Sequence, residues 1–335
     1  MKAMVLYKQM PIENNPLKYE EIDTPIVKND NDVLIEVKYC GVCRTDLHIV
    51  EGELEALKLP LIPGHQIIGV IKETGREVDN VSKGERVGLP WLYWACGTCK
   101  FCKRDLENLC DRIVFTGYSV DGGYAEYIVA NKDFVHKIPK NFNDHEAAPL
   151  MCAGAIGYRA LRLTGLVEKR NGILGIFGFG SAGQLVLKTA KAIGLKTYVF
   201  THSSWKKELA YKMGADWAGE TSVEIDTKLD AAIVFAPVSW VLVEALKKTE
   251  RGGRIVIGEI YMNPIEKLDY KLIWLEKEIK TVANVTRRDV REFLEIASKY
   301  NIIPDVEIYR LEDANKALTD LKHNKIRGQA VLKIK

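Results

Sequence analysis

Up to about residue 150 the chain alternates apolar and polar positions in short runs divided by Gly and Pro. The runs 33–39, 66–73, 86–89, 124–129 and 134–138 carry β-branched or aromatic residues between turn signals and predict strands. Ala3, Val5 and Tyr7 set against Lys2, Met4 and Lys8 predict one more at the start. From about Ala153 the period changes. Apolar runs at 172–177, 196–201, 229–235, 254–258 and 280–285 now alternate with stretches of helical spacing, such as Ala182, Leu185, Val186, Thr189, Ala190 and Ile193. Strand–helix alternation at this interval predicts an α/β fold with a doubly wound parallel sheet. The tail predicts helices at 287–300 and 311–323 and a last strand, 329–334, that rejoins the first part. Two domains are expected: residues 1–152 with 287–335, and 153–286.

Composition narrows the class. With 335 residues, 47% hydrophobic and 28% charged, both domains can bury a core. The net charge of +3 is spread among mixed signs with no basic stripe, so nucleic acid is not an expected partner. The first ten residues lack the apolar core of a signal peptide, and no apolar run reaches membrane-spanning length; a cytoplasmic protein is expected.

The run 173–177 leads straight into Gly178, Gly180 and Gly183, in the pattern Gly-x-Gly-x-x-Gly, followed by an amphipathic helix. Such a pattern alone also fits a simple tight turn. On a strand–turn–helix it fits a dinucleotide: Gly178 permits the turn, Gly180 lets backbone approach a pyrophosphate, and Gly183 lets helix and strand pack closely.

Seven cysteines stand at 40, 43, 96, 99, 102, 110 and 152. In a reducing compartment, Cys96, Cys99, Cys102 and Cys110 offer four thiolates from one loop, the donor set of a closed structural zinc site. Free thiols, a disulfide pair, a zinc-ribbon interaction module or an iron–sulfur cluster are the rivals. The ferredoxin pattern has Pro after its last cysteine, whereas Asp111 follows Cys110. Cys43, His65 and Cys152 are scattered. Two thiolates and an imidazole would leave a fourth zinc position open for catalysis, but spacing alone does not bring them together.

These motifs, with the segments 41–48, 63–65, 121–127 and 150–154 in the same order, resemble the zinc-containing medium-chain alcohol dehydrogenases over essentially the whole chain, and the propanol-preferring and cinnamyl-type branches most. The resemblance implies a GroES-like β-rich catalytic domain with a Rossmann domain inserted. It implies that Cys43, His65 and Cys152 hold a catalytic zinc and that Asp46 fixes the imidazole of His65. Thr45 would accept the alcohol proton, His48 would end the relay, and Arg44 and Arg327 would face the pyrophosphate. One departure stands out: Gln66 replaces the Glu that usually follows the zinc-binding His.

Two zinc ions per chain and a nicotinamide cofactor are therefore expected, with hydride passing between an alcohol or aldehyde and the cofactor. Trp91, Leu92, Trp94 and Phe115, with Ile260 and Tyr261, suggest an apolar pocket for medium alkyl or aromatic alcohols rather than sugars. A polyol or sugar dehydrogenase of the same superfamily is the alternative. No acidic residue occurs between Gly178 and Lys207, and Thr201 takes the place of the acid that binds the adenosine ribose. His202, Ser203, Lys206 and Lys207 follow, so NADP(H) is expected over NAD(H). A homodimer or homotetramer is expected.

Overall fold

A computed structural model describes residues 1–335. The chain forms two compact units: Met1–Cys152 with Asn284–Lys335, and Ala153–Ala283. Asn284, at φ +55°, turns the chain out of the second unit, and Thr286 then caps the helix Arg287–Lys299 by accepting from the Asp289 amide.

The first unit is built on a seven-stranded sheet whose centre is the strand Asp32–Gly41. It pairs antiparallel with Gln66–Thr74, Tyr127–Asn131 and the C-terminal strand Gln329–Lys333. Most of its side chains on both faces are buried, Asp32 and Glu36 among them, so burial here does not follow a strict apolar–polar alternation. In register, Cys40 faces Ile67 and Gly41 faces Gln66, so the segments beyond these positions leave the sheet together. That end of the sheet carries the residues of interest.

The second unit is a six-stranded, all-parallel sheet. Its spatial order is Trp217–Gly219, Lys196–Phe200, Ile173–Phe177, Leu229–Val234, Thr249–Ile257, Glu278–Thr281. Numbered along the chain this is 3-2-1-4-5-6, the Rossmann order. Helices Ser181–Ala192 and Ser239–Lys248 pack over it on apolar clusters that include Leu174, Ile176 and Val186 on one side and Phe177, Phe200 and Leu246 on the other.

Several predicted elements shift, each for a physical reason. The strand expected at 124–129 is Tyr127–Asn131, because the amides of Gly122, Gly123 and Tyr124 are drawn to the carbonyls of Ile62, Gly64 and Pro63. The run 134–138 keeps only His136–Lys137 as strand, since Asn131 caps a single helical turn over Lys132–Phe134. The last strand of the parallel sheet lies at Glu278–Thr281 rather than 280–285. All four of its residues are exposed, so burial left no mark on its sequence.

Candidate active site

The strand Asp32–Gly41 runs out into Cys43, which precedes the helix Arg44–Glu51. His65 stands just before its neighbour, the strand Gln66–Thr74. Cys152 follows the short turn Ala148–Met151, which is seated where Gly88 leaves room: a Cβ on that glycine would lie 2.3 Å from the Met151 sulfur. Three segments distant in sequence thus converge, and one donor atom from each of Cys43, His65 and Cys152 lies within 4.8 Å of the others.

Asp46 organises the group. It is fully buried; its Oδ1 accepts from His65 Nδ1 at 2.9 Å, and its Oδ2 accepts from the Cys43 amide at 2.9 Å and the Tyr124 hydroxyl at 3.1 Å. With Nδ1 turned to Asp46, the buried Nε2 of His65 is the nitrogen left to face the two sulfurs, and it has no hydrogen-bond partner. Burial opposes the imidazolium, but the charge and hydrogen bond of Asp46 overcome it and raise the His65 pKa to about 10. Beside it, the Cys43 thiol is held well below its ordinary value, first by a hydrogen bond with Cys152, whose own pKa is pushed well up. An unpartnered basic nitrogen facing a readily ionised thiol is a donor set suited to a metal ion.

Around this set, Thr45 is buried and its Oγ1 lies 3.7 Å from Cys43 Sγ. His48, one turn further along the helix, is partly exposed and pairs through Nδ1 with Glu53. The Trp91 ring lies 5.3 Å from the His65 ring and 5.2 Å from that of Phe115. Leu92 is 1% exposed and sits in the hydrophobic core. Gln66 is buried with its Oε1 unpartnered. Arg44 and Arg327 are exposed; Arg44 reaches Asn324 at 3.3 Å, and the Arg327 amide bonds Glu307.

The second cysteine group is a closed cage. The sulfurs of Cys96, Cys99, Cys102 and Cys110 lie within 4.8 Å of one another, and no cysteine of the chain is in a disulfide. Backbone amides point at the sulfurs: that of Cys99 at Cys96, and those of Cys96 and Arg112 at Cys110. Such amides, from Thr98 first, bring the Cys96 thiol down to about 5, while burial raises Cys102 to about 12. Sequence reading missed two supports. Arg112 lies beside Cys96 and over Trp94, and the buried Glu107 takes both the amide and Nε of Arg287, at 2.9 and 3.0 Å.

In the second unit, Gly178 adopts φ +97°, and a Cβ there would meet the Phe235 carbonyl at 2.4 Å. A Cβ on Gly183 would lie 2.6 Å from the Gly178 carbonyl, whereas one on Gly180 would enter open space. Turn and packing therefore require the outer glycines, and the middle one leaves a free approach to backbone at the start of the helix. Thr201 is buried after the strand Lys196–Phe200, Ser203 precedes the helix Ser204–Lys212 without a side-chain cap bond, and Lys207 pairs with Glu220 at 2.9 Å. His202 and Ile260 are exposed, and Lys206 lies over the Trp205 ring.

A Rossmann sheet, and a separate β-rich unit in which a Cys–His–Cys group stands apart from a four-thiol cage, define a two-unit dehydrogenase of the medium-chain type. Residues 29–140 match the family described as the alcohol dehydrogenase GroES-like domain. Over its full length the chain is 38% identical to the probable alcohol dehydrogenase AdhA of Mycobacterium tuberculosis, covering 97% of that protein. It is also 38% identical to an alcohol dehydrogenase of Geobacillus stearothermophilus, with 95% of this chain and 96% of that one aligned. The crystal structure of CAD from Helicobacter pylori complexed with NADP(H) superposes with a TM-score of 0.88 at 27% identity, covering 99% and 97% of the two chains. The chain belongs to the zinc-containing medium-chain alcohol dehydrogenases.

Proposed function

We propose that this alcohol dehydrogenase is zinc-dependent, binds two zinc ions per chain, and moves hydride between medium alkyl or aromatic alcohols and NADP(H) in preference to NAD(H). The observation that carries the zinc reading is the buried, unpartnered Nε2 of His65 within reach of two cysteine sulfurs. A buried polar atom without a partner is costly unless a ligand satisfies it. The residues present fit zinc twice: Cys43, His65 and Cys152 leave a position open, and the four-thiol cage does not.

Zinc at the open set would supply Lewis acidity to an alcohol or carbonyl oxygen, and the nicotinamide would exchange the hydride. The protein's part is positional. Asp46 holds His65 in one tautomer and keeps its Nε2 basic. Thr45, beside Cys43, is placed to take the alcohol proton, and His48, oriented by Glu53, to pass it outward. Trp91 and Phe115 form an aromatic wall against His65. The segment 201–207, with Thr201 where NAD-preferring sites carry an acid, supports NADP(H).

The exposed edge strand Glu278–Thr281, paired on one side alone, supports assembly as a homodimer or homotetramer. Seven unpaired thiols suit the reducing cytoplasm. No helix is long and apolar enough to cross a membrane.

Metal analysis of gently purified protein, with kcat/KM measured for both cofactors over alkyl, aromatic and polyol substrates, tests the reading. Two zinc ions, a higher kcat/KM with NADP and turnover of apolar alcohols are expected. Full activity with one zinc or none, a preference for NAD, or a preference for polyols would overturn the corresponding part.

A further inference from the structure

The acid that the linear sequence lacks after the second Rossmann strand arrives from the third. Strands Lys196–Phe200 and Trp217–Gly219 run parallel with Phe200 opposite Gly219, and the Thr201 amide donates to the Gly219 carbonyl at 2.8 Å. The residues that follow the two strands are therefore neighbours. Glu220 stands beside the segment 201–207, with its Oε1 2.9 Å from Lys207 Nζ. The hydrogen bond and charge of Lys207 lower the Glu220 pKa, and His202 adds to the effect.

We propose that Glu220 sets how strongly the enzyme discriminates between the two cofactors, by neutralising Lys207 and by repelling the 2′-phosphate that Lys207 would otherwise receive. This rests on the reading of residues 201–207 as the segment that meets the adenosine ribose. The carboxylate is 54% exposed, so its bond to Lys207 is screened by water and weak enough for a phosphate to break. A dianionic phosphate that takes Lys207 still has Glu220 alongside, and like charges at such range oppose each other even through a high dielectric. NAD carries no 2′-phosphate and escapes this repulsion. Glu220 thus narrows the gap between the cofactors and leaves an enzyme able to use both.

The test uses the whole enzyme with two nucleotide fragments, adenosine 2′,5′-bisphosphate and 5′-AMP, and reads binding by calorimetry, independently of turnover. Glu220→Gln should tighten the 2′,5′-bisphosphate about fivefold and leave 5′-AMP unchanged, because it removes one like charge. Lys207→Gln should weaken the 2′,5′-bisphosphate alone. In kinetics, kcat/KM for NADP should rise with Glu220→Gln while that for NAD stays constant. An unchanged affinity in Glu220→Gln, an equal gain for both fragments, or indifference to Lys207→Gln would overturn the proposal. The wild-type ratio of the two affinities tests the NADP reading separately, since it compares the fragments without altering Glu220.

Discussion

The hydroxyl of Tyr124 donates to Oδ2 of Asp46 across 78 residues of chain, and Asp46 in turn holds His65. The ring reaches that position only because residue 64 is glycine; a Cβ there would lie 2.3 Å from it, at a backbone φ of +98°. Tyr124→Phe should leave a buried carboxylate short of one donor and lower stability by about 1–3 kcal/mol. Urea unfolding at neutral pH checks this, with no change in midpoint as the contrary result. Metal content should fall with prolonged chelation sooner than in wild type, because the imidazole is less firmly held.

Removing ligands from the two cysteine groups should have opposite consequences. Cys43→Ala is expected to abolish turnover and lose one zinc while keeping the fold. Cys99→Ala should lose the other zinc and lower the melting temperature, because a closed site contributes folding energy. Metal analysis paired with thermal unfolding separates them, and identical profiles for the two variants would refute the division of labour.

The pairing of His48 with Glu53 makes a prediction about proton transfer. His48→Ala should slow alcohol oxidation at low pH, where proton release is most difficult, and leave zinc content intact. Glu53→Gln should produce a smaller loss in the same direction. Pre-steady-state rates across pH read this; a His48→Ala profile superimposable on wild type would remove His48 from the relay.

His136 is buried, and burial together with the charges of Arg291 and Arg287 depresses its pKa to about 3. The unfolded chain binds that proton near pH 6.5 and the folded chain only near pH 3. The unfolded state therefore holds more protons between these values, and stability is lost as pH falls from about 6.5 toward about 3. His136→Gln should flatten that slope. Denaturant midpoints at pH 7.5 and 5.0 measure it, and equal slopes in variant and wild type would show that other groups govern acid sensitivity.

What the sequence made legible depended on how local the signal was. The glycine fingerprint and the four-cysteine loop are contiguous, and each carries its geometry in its spacing. Cys43, His65 and Cys152 were assigned by resemblance, because their convergence depends on strand register and on the seat of Met151 against Gly88. Tyr124 sat in a recognised motif without a role, since its partner Asp46 lies in another segment. Glu220 was invisible for the same reason: parallel pairing sets it beside Thr201, nearly twenty positions earlier. Leu92 was expected to line a pocket on its apolar character, a property that core residues share.

The insertion of one unit within the other fixes an order of events during synthesis. Residues 153–283 are continuous and can fold as soon as they have left the ribosome. The first unit closes later, because Gln329–Lys333 pairs with the Tyr39–Gly41 end of the central strand Asp32–Gly41. On that side Tyr127–Asn131 already covers residues 32–36, but positions 39–41 must wait for almost three hundred residues to be translated. A nascent chain stalled before residue 329 would therefore leave the 39–41 end of that edge open to other chains and to chaperones, although every cysteine and histidine of the candidate zinc sites had already been made.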